Sequence, residues 1–185
     1  MHPVVGQIFD AFKLKGSERY GEEEVTQVQH ALQCGHLAMK ANASERLIVA
    51  ALLHDIGHIL DDRDMPENCS ENLNDQHEFR GHQFLVEQFG NSIADPVRLH
   101  VVAKRYLCTQ KSDYEEKLSP TSLKSFHDQG GNMSPEEVRQ FEDEPFFREA
   151  IQLRHWDDAA KDVSMVTPPL EDFATLIEAS LTCSD

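Results

Sequence analysis

The chain has 185 residues, enough for one domain with a single sizeable core. Its formal net charge of −16 argues against general affinity for nucleic acid or an anionic membrane, and 39% hydrophobic residues argue against wholesale disorder. Cys34, Cys69, Cys108 and Cys183 share no metal-finger spacing and suit reduced thiols in a cytoplasmic protein better than a disulfide framework.

Helical periodicity runs through the chain and no good strand series interrupts it. Helices are expected over 3–14, 22–40, 44–60, 75–90, 94–109, 119–128, 134–142, 145–160 and 170–182, so the fold class is all-α. The first helix, in MHPVVGQIFDAFKLKG, lacks the basic start and long apolar region of a signal peptide. The second carries His30 in VTQVQHALQCGHLAMK. The third follows a capping-box pattern, NASE at 42–45, and holds VAALLHDIGHIL. Its longest apolar run, 47–53, is too short to span a bilayer. The polar stretch 61–74, DDRDMPENCSENLN, is expected to be an exposed loop, and its DDRD lacks the full pattern of a calcium loop. His77 opens the next helix, and His100 follows in VRLHVVAKRYL with Lys104 one turn later. DQGGN at 128–132 is a turn, and SPEE at 134–137 places Pro135 at a first helical position. LRHWDD brings Arg154 and Asp157 three residues apart.

The stretch VAALLHDIGHIL poses the main question, because it places His54, Asp55 and His58 inside an apolar segment. On a helix His54 and His58 share a face while Asp55 points about 100° away. Ionisable groups are costly to bury unless paired or bound to metal, and imidazole with carboxylate suits zinc, manganese or iron. The pair alone fits equally a buried histidine bonded to the backbone with Asp55 as its partner. His2, His36, His82, His127 and His155 match no ligand pattern and read as surface or core residues.

The ordered set His30, His54-Asp55, His77, His100 and Asp157 resembles the HD-domain superfamily, in which helices converge on a metal centre. YGEE at 20–23, QHALQC at 29–34, AALLHDIGH at 50–58, QHE at 76–78, HVVAKRYL at 100–107, QGG at 129–131 and LRHWDD at 153–158 are more closely similar to the mixed-valent di-iron HD oxygenases of phosphonate catabolism. The resemblance implies a single HD domain over 1–185, with its core at about 20–161 and flanking helices in 1–19 and 162–185. It implies two iron ions, one ferrous and one ferric, with dioxygen as co-substrate. His30, His54, Asp55 and Asp157 would hold the first, and Asp55, His77 and His100 the second, with Asp55 bridging. Tyr20 would sit on the second iron until substrate displaces it, partnered by Glu23. A helix through 20–30 would bring Tyr20, Glu23 and His30 within roughly 60° of one another.

The implied reaction is oxidative cleavage of the carbon–phosphorus bond of a 1-hydroxy-2-amino- or 1-hydroxy-2-trimethylammonio-ethylphosphonate, giving phosphate and glycine or glycine betaine. An acidic protein must then concentrate cations locally, and His58, Lys104 and Arg154 are the candidates, with hydroxyls from Ser122 and Ser125 and the amide of Gln129. Tyr20, Tyr106, Phe126, Trp156 and Glu23 could line an ammonium site, although each fits core or surface equally. The reading leans to the trimethylammonio substrate. The expected partner is thus a small phosphonate, with neither nucleic acid nor membrane. Two rival functions share the His-Asp core: a metal-dependent phosphohydrolase of nucleotides or phosphomonoesters, and a non-catalytic regulatory HD module. An oxygenase acting on inositol shares only the His and Asp framework.

Overall fold

A computed structural model describes residues 2–61 and 77–182. Ten α-helices are found among the described residues, with no strand, so the architecture is all-α. The helices are α1 (Pro3–Lys15), α2 (Gln27–Lys40), α3 (Glu45–Leu53), α4 (Ile56–Ile59), α5 (His77–Phe89), α6 (Asn91–Gln110), α7 (Pro120–Asp128), α8 (Pro135–Glu142), α9 (Phe147–Ala159) and α10 (Ala174–Ala179). No helix among the described residues is long and apolar enough to cross a membrane. Most of the loop expected at 61–74, including all of DDRD after Asp61, lies outside the described residues, as do Cys69 and Cys183.

Local chemistry explains where the helices begin. Ser134 and Glu137 form a capping box with Pro135 in the first turn of α8. Thr26 and Gln29 form another at α2. The helix expected from residue 22 therefore starts only at Gln27. Before it, Gly21 adopts φ +55°, and Glu23 N donates to Tyr20 O at 3.0 Å in a tight turn. NASE does not act as a capping box. Asn42 takes φ 54° just past the end of α2, a frequent helix stop, and Ser44 caps α3 through Leu47 N at 3.3 Å.

The expected helix 44–60 is broken in two. His54 caps the C-terminus of α3 with helical backbone angles, and Asp55 leaves helical geometry at φ −103°, ψ 13°. The break lets α4 turn against the start of α5, and Gly57 allows the approach. A Cβ at position 57 would lie 2.0 Å from the His77 carbonyl oxygen. α3 is apolar almost all round, with Leu47 to Leu53 all buried. It forms the centre of the main core with Val5, Ile8, Leu85, Phe89, Ile93 and Leu153. α2, α5, α6 and α9 surround that core and point polar side chains into a shared gap.

Candidate metal centre

Four imidazoles and two carboxylates from five segments meet in that gap. His30 comes from α2, His54 and Asp55 from the break between α3 and α4, His77 from the start of α5, His100 from the middle of α6 and Asp157 from α9. Their donor atoms form two sets. In the first, His30 Nε2 lies 3.2 Å from His54 Nε2, 3.6 Å from Asp55 Oδ2 and 3.4 Å from Asp157 Oδ1. In the second, His77 Nε2 lies 3.3 Å from His100 Nε2, and the two are 3.2 Å and 3.5 Å from Asp55 Oδ1. Asp55 thus offers one oxygen to each set.

With neutral rings, these contacts do not read as hydrogen bonds. His30, His54 and His100 each place Nδ1 on a backbone carbonyl, at 2.8 Å, 2.9 Å and 2.6 Å. A carbonyl only accepts, so Nδ1 carries the proton and a neutral ring leaves its lone pair on Nε2. Nε2 atoms at 3.2 Å then oppose lone pair to lone pair. Both Asp55 oxygens are buried without a hydrogen-bond partner among the described residues, although four imidazole nitrogens lie near. Two ligands about 2.1 Å from one cation and about 90–110° apart would be separated by about 3.0–3.4 Å. The spacing, the exposed lone pairs and the orphaned carboxylate all fit a cation at the centre of each set.

Titration behaviour agrees with a site that demands positive charge. Burial lowers the pKa of His54, but Asp55 and Asp157 outweigh it and lift the imidazole to about 9. Burial raises Asp55, yet His54 and His77 hold it well below the ordinary carboxylate range. Asp157 is likewise driven up by burial and brought well below that range by Arg154 and His30. Burial takes His100 down to about 3, leaving a neutral ring ready to ligate.

Asp157 is fixed from behind. Its Oδ2 lies 2.7 Å from Arg154 Nη1, and the same guanidinium holds Asp158, which accepts the Tyr114 hydroxyl. Lysine is a point charge and cannot hold two carboxylates in one planar fork. Arg154→Lys is therefore expected to weaken metal retention about 10- to 100-fold, measured by competition with a chelator, while circular dichroism stays helical.

A cavity of about 380 Å³ opens beside the two sets. His58, Lys104, Ser122, Ser125, Gln129 and Arg154 all line it, as do Tyr20 and Glu23. Tyr20 reaches it from a turn, not from the helix face expected for residues 20–30. Its ring stacks on His30 at 3.8 Å, and burial, then the charges of Asp55 and Asp157, hold its hydroxyl protonated far above the usual phenol range. His58 also departs from the shared helix face, since the break at Asp55 turns it to stack on His77 at 3.9 Å. Lys104 Nζ donates to Ser125 Oγ at 2.6 Å. Burial first, then the Arg154 charge, lower its pKa to about 8. Gln129 Oε1 is buried without a donor.

Three of the aromatic residues nominated for an ammonium site are elsewhere. Tyr106 bonds Glu142 at 2.7 Å, Phe126 is buried beside Leu107 and Tyr114, and Trp156 packs on the main core. The sequence did not point to Lys161, on the cavity wall, or to Ser119 beside it. Lys161 Nζ lies 2.9 Å from Ser122 Oγ and 3.1 Å from Ser119 Oγ, and Ser119 Oγ donates to Glu23 Oε1 at 2.6 Å. Lys161 lies past the end of α9, where helical spacing from Asp157 carries no signal. Cys34, read as a packing residue, is buried with Sγ 3.8 Å from His30 Nε2.

Comparison with known proteins gives this geometry a family. The HD-domain model matches residues 28–162. A hydroxymethylphosphonate dioxygenase of Gimesia maris is 42% identical over 177 residues, covering 96% of this chain and 88% of that protein. A [1-hydroxy-2-(trimethylamino)ethyl]phosphonate dioxygenase (glycine-betaine-forming) of Leisingera caerulea is 40% identical over 174 residues, covering 94% of this chain and 87% of that protein. The family match spans all six convergent residues, His30, His54, Asp55, His77, His100 and Asp157, and the chain belongs to the HD-domain family, with proteins named as phosphonate dioxygenases among its relatives over nearly its whole length.

Proposed function

We propose that this chain is a di-iron oxygenase that cleaves the carbon–phosphorus bond of an α-hydroxyphosphonate, giving phosphate and a carboxylate. The observation that carries the reading is one carboxylate, Asp55, with its two unpartnered oxygens divided between two imidazole sets, beside a cavity walled by Lys104, Ser122 and Ser125. His30, His54, Asp55 and Asp157 would hold one ion and Asp55, His77 and His100 the other. When bound, the iron pair supplies oxygen activation and the one-electron steps that oxidation at C1 requires.

The protein's own groups bind, orient and protect. The Lys104 ammonium and the two serine hydroxyls supply donors for a phosphonate dianion, which has acceptors only. Seating it on α6 and α7 turns the C1 hydroxyl and C1 hydrogen toward the ligand sets. Tyr20 covers the His30 side, limits water, and keeps its proton on the phenol oxygen until substrate moves it aside. Overall, R–CH(OH)–PO₃²⁻ and O₂ give R–COO⁻, HPO₄²⁻ and H⁺, so the atoms balance without an outside reductant.

The test is phosphate release by iron-loaded protein from hydroxymethylphosphonate and from the 2-amino and 2-trimethylammonio analogues of 1-hydroxyethylphosphonate. Release is expected in air and is expected to stop under anaerobic conditions. Equal release without oxygen would show hydrolytic and not oxidative cleavage of the carbon–phosphorus bond.

A further inference from the structure

The cavity contains a charged group that the reaction above leaves unused. Lys161, with its side chain only 12% exposed, lies 3.3 Å from Glu23 Oε1. Its Nζ also donates to Ser122 and Ser119, and Ser119 donates to the same Glu23 oxygen. Glu23 is the one cavity carboxylate among the described residues that stands outside both ligand sets. It is therefore the anionic partner that a substrate ammonium would seek, and it is already compensated. Asp157, the other carboxylate on the cavity wall, is held by Arg154.

Charge on the wall points the same way. Lys104, Arg154 and Lys161 stand on the wall with Glu23 and Asp157, while Asp158 behind it pairs with the other side of Arg154. Lys104 has a serine hydroxyl as its partner and, among the described residues, no carboxylate within ion-pair reach. A phosphonate dianion gains from this arrangement, and a cationic substituent meets like charge. Aromatic faces do not compensate. Tyr20 is the sole Tyr, Phe or Trp on the wall among the described residues, and its ring is stacked on His30.

We propose that Lys161 sets substrate specificity: with Glu23 it fills the place where a 2-ammonio substrate would seat its own cation, so the chain prefers an α-hydroxyphosphonate with no cationic substituent. Hydroxymethylphosphonate is the smallest member of that class. Its turnover would be HO–CH₂–PO₃²⁻ and O₂ to formate, HPO₄²⁻ and H⁺. This inference rests on the α-hydroxyphosphonate reading.

Two measurements test it. In wild-type protein, kcat/KM for hydroxymethylphosphonate is expected to exceed that for either ammonio substrate by at least about tenfold, and Lys161→Met or Lys161→Gln to shrink that ratio by at least about tenfold. In parallel, calorimetry on the iron-loaded protein without oxygen compares propylphosphonate with 2-aminoethylphosphonate, a pair of equal length that differ in charge. Wild type is expected to bind propylphosphonate more tightly, and the Lys161 variants to lose that preference. An ammonio substrate preferred by wild type, or equal weakening of both ligands in the variants, would overturn the proposal, the latter by making Lys161 a phosphonate anchor. Oxygen-dependent release from none of the three substrates would overturn the reaction itself and this inference with it. Release with the ranking inverted overturns the inference alone.

Discussion

Asp55→Asn is expected to leave the protein unable to retain either metal. The substitution keeps the shape of the side chain, so packing around the break between α3 and α4 is preserved. It replaces a carboxylate that faces both donor sets with a neutral amide whose nitrogen has no lone pair to offer. Loss of one shared ligand removes charge from both sites at once. Metal binding should fall on the order of a thousandfold or more, since a direct ligand contributes more than the 10- to 100-fold of an outer partner. Iron content after loading and gel filtration is expected to drop from two per chain to well below one, and oxygen-dependent phosphate release to vanish with it. Asp55→Asn protein that still carries two irons would refute the shared-ligand arrangement.

Lys104→Met is expected to stabilise the fold while crippling substrate binding. Lys104 is 2% exposed and its pKa falls from 10.5 to about 8, with burial as the main cause. That difference corresponds to about 3 kcal/mol of cost for keeping the ammonium in place. The sign follows from the direction of the shift. Below pH 8 the folded state carries the whole cost, and the cost fades as pH rises from about 8 toward the unfolded value of 10.5. Denaturant midpoints should therefore favour Lys104→Met by up to about 3 kcal/mol at pH 7 and by little near pH 10. Function moves oppositely. The charge that costs stability is the one a phosphonate dianion needs, so KM in the variant is expected to rise about 100-fold or more. In wild type, kcat/KM should decline as pH passes about 8 and Nζ loses its proton. A variant that is less stable at pH 7 and binds phosphonate normally would remove Lys104 from the pocket wall.

The contrast between these two residues and Lys161 shows what the sequence could reveal. Most helices were legible because apolar residues recur at helical spacing and because Thr26, Ser134 and Pro135 mark starts by local chemistry. The His-Asp framework was legible because ionisable residues stood out in apolar segments. The breaks were not. Nothing between Leu53 and Ile56 is a glycine or proline, and the chain leaves the helix there because the surrounding segments fix Asp55 between two donor sets. The turn at Gly21 delivers Tyr20 to His30 by a route that helical arithmetic over 20–30 does not contain. Lys161 and Ser119 meet Glu23 across 138 and 96 positions of chain, and no local pattern encodes such a meeting. Tyr106, Phe126 and Trp156 failed as ammonium candidates for the matching reason: an aromatic residue on a helix is usually claimed by the nearest core.

Gly57 holds the two halves of the centre at a fixed distance. The backbone of α4 touches the His77 carbonyl so closely that even a methyl group has no room, while His54 and Asp55 sit three and two residues earlier on the same stretch of chain. That contact is reinforced by Arg80 of α5, whose Nε and Nη2 donate to the carbonyls of Gly57 and Leu60 at 3.2 Å and 3.3 Å. The pair of sites is consequently unequal in mechanical terms: the one built on α2 and α9 is braced by the Arg154 guanidinium, and the one that depends on α5 by the closeness of two backbones and the Arg80 clasp across them.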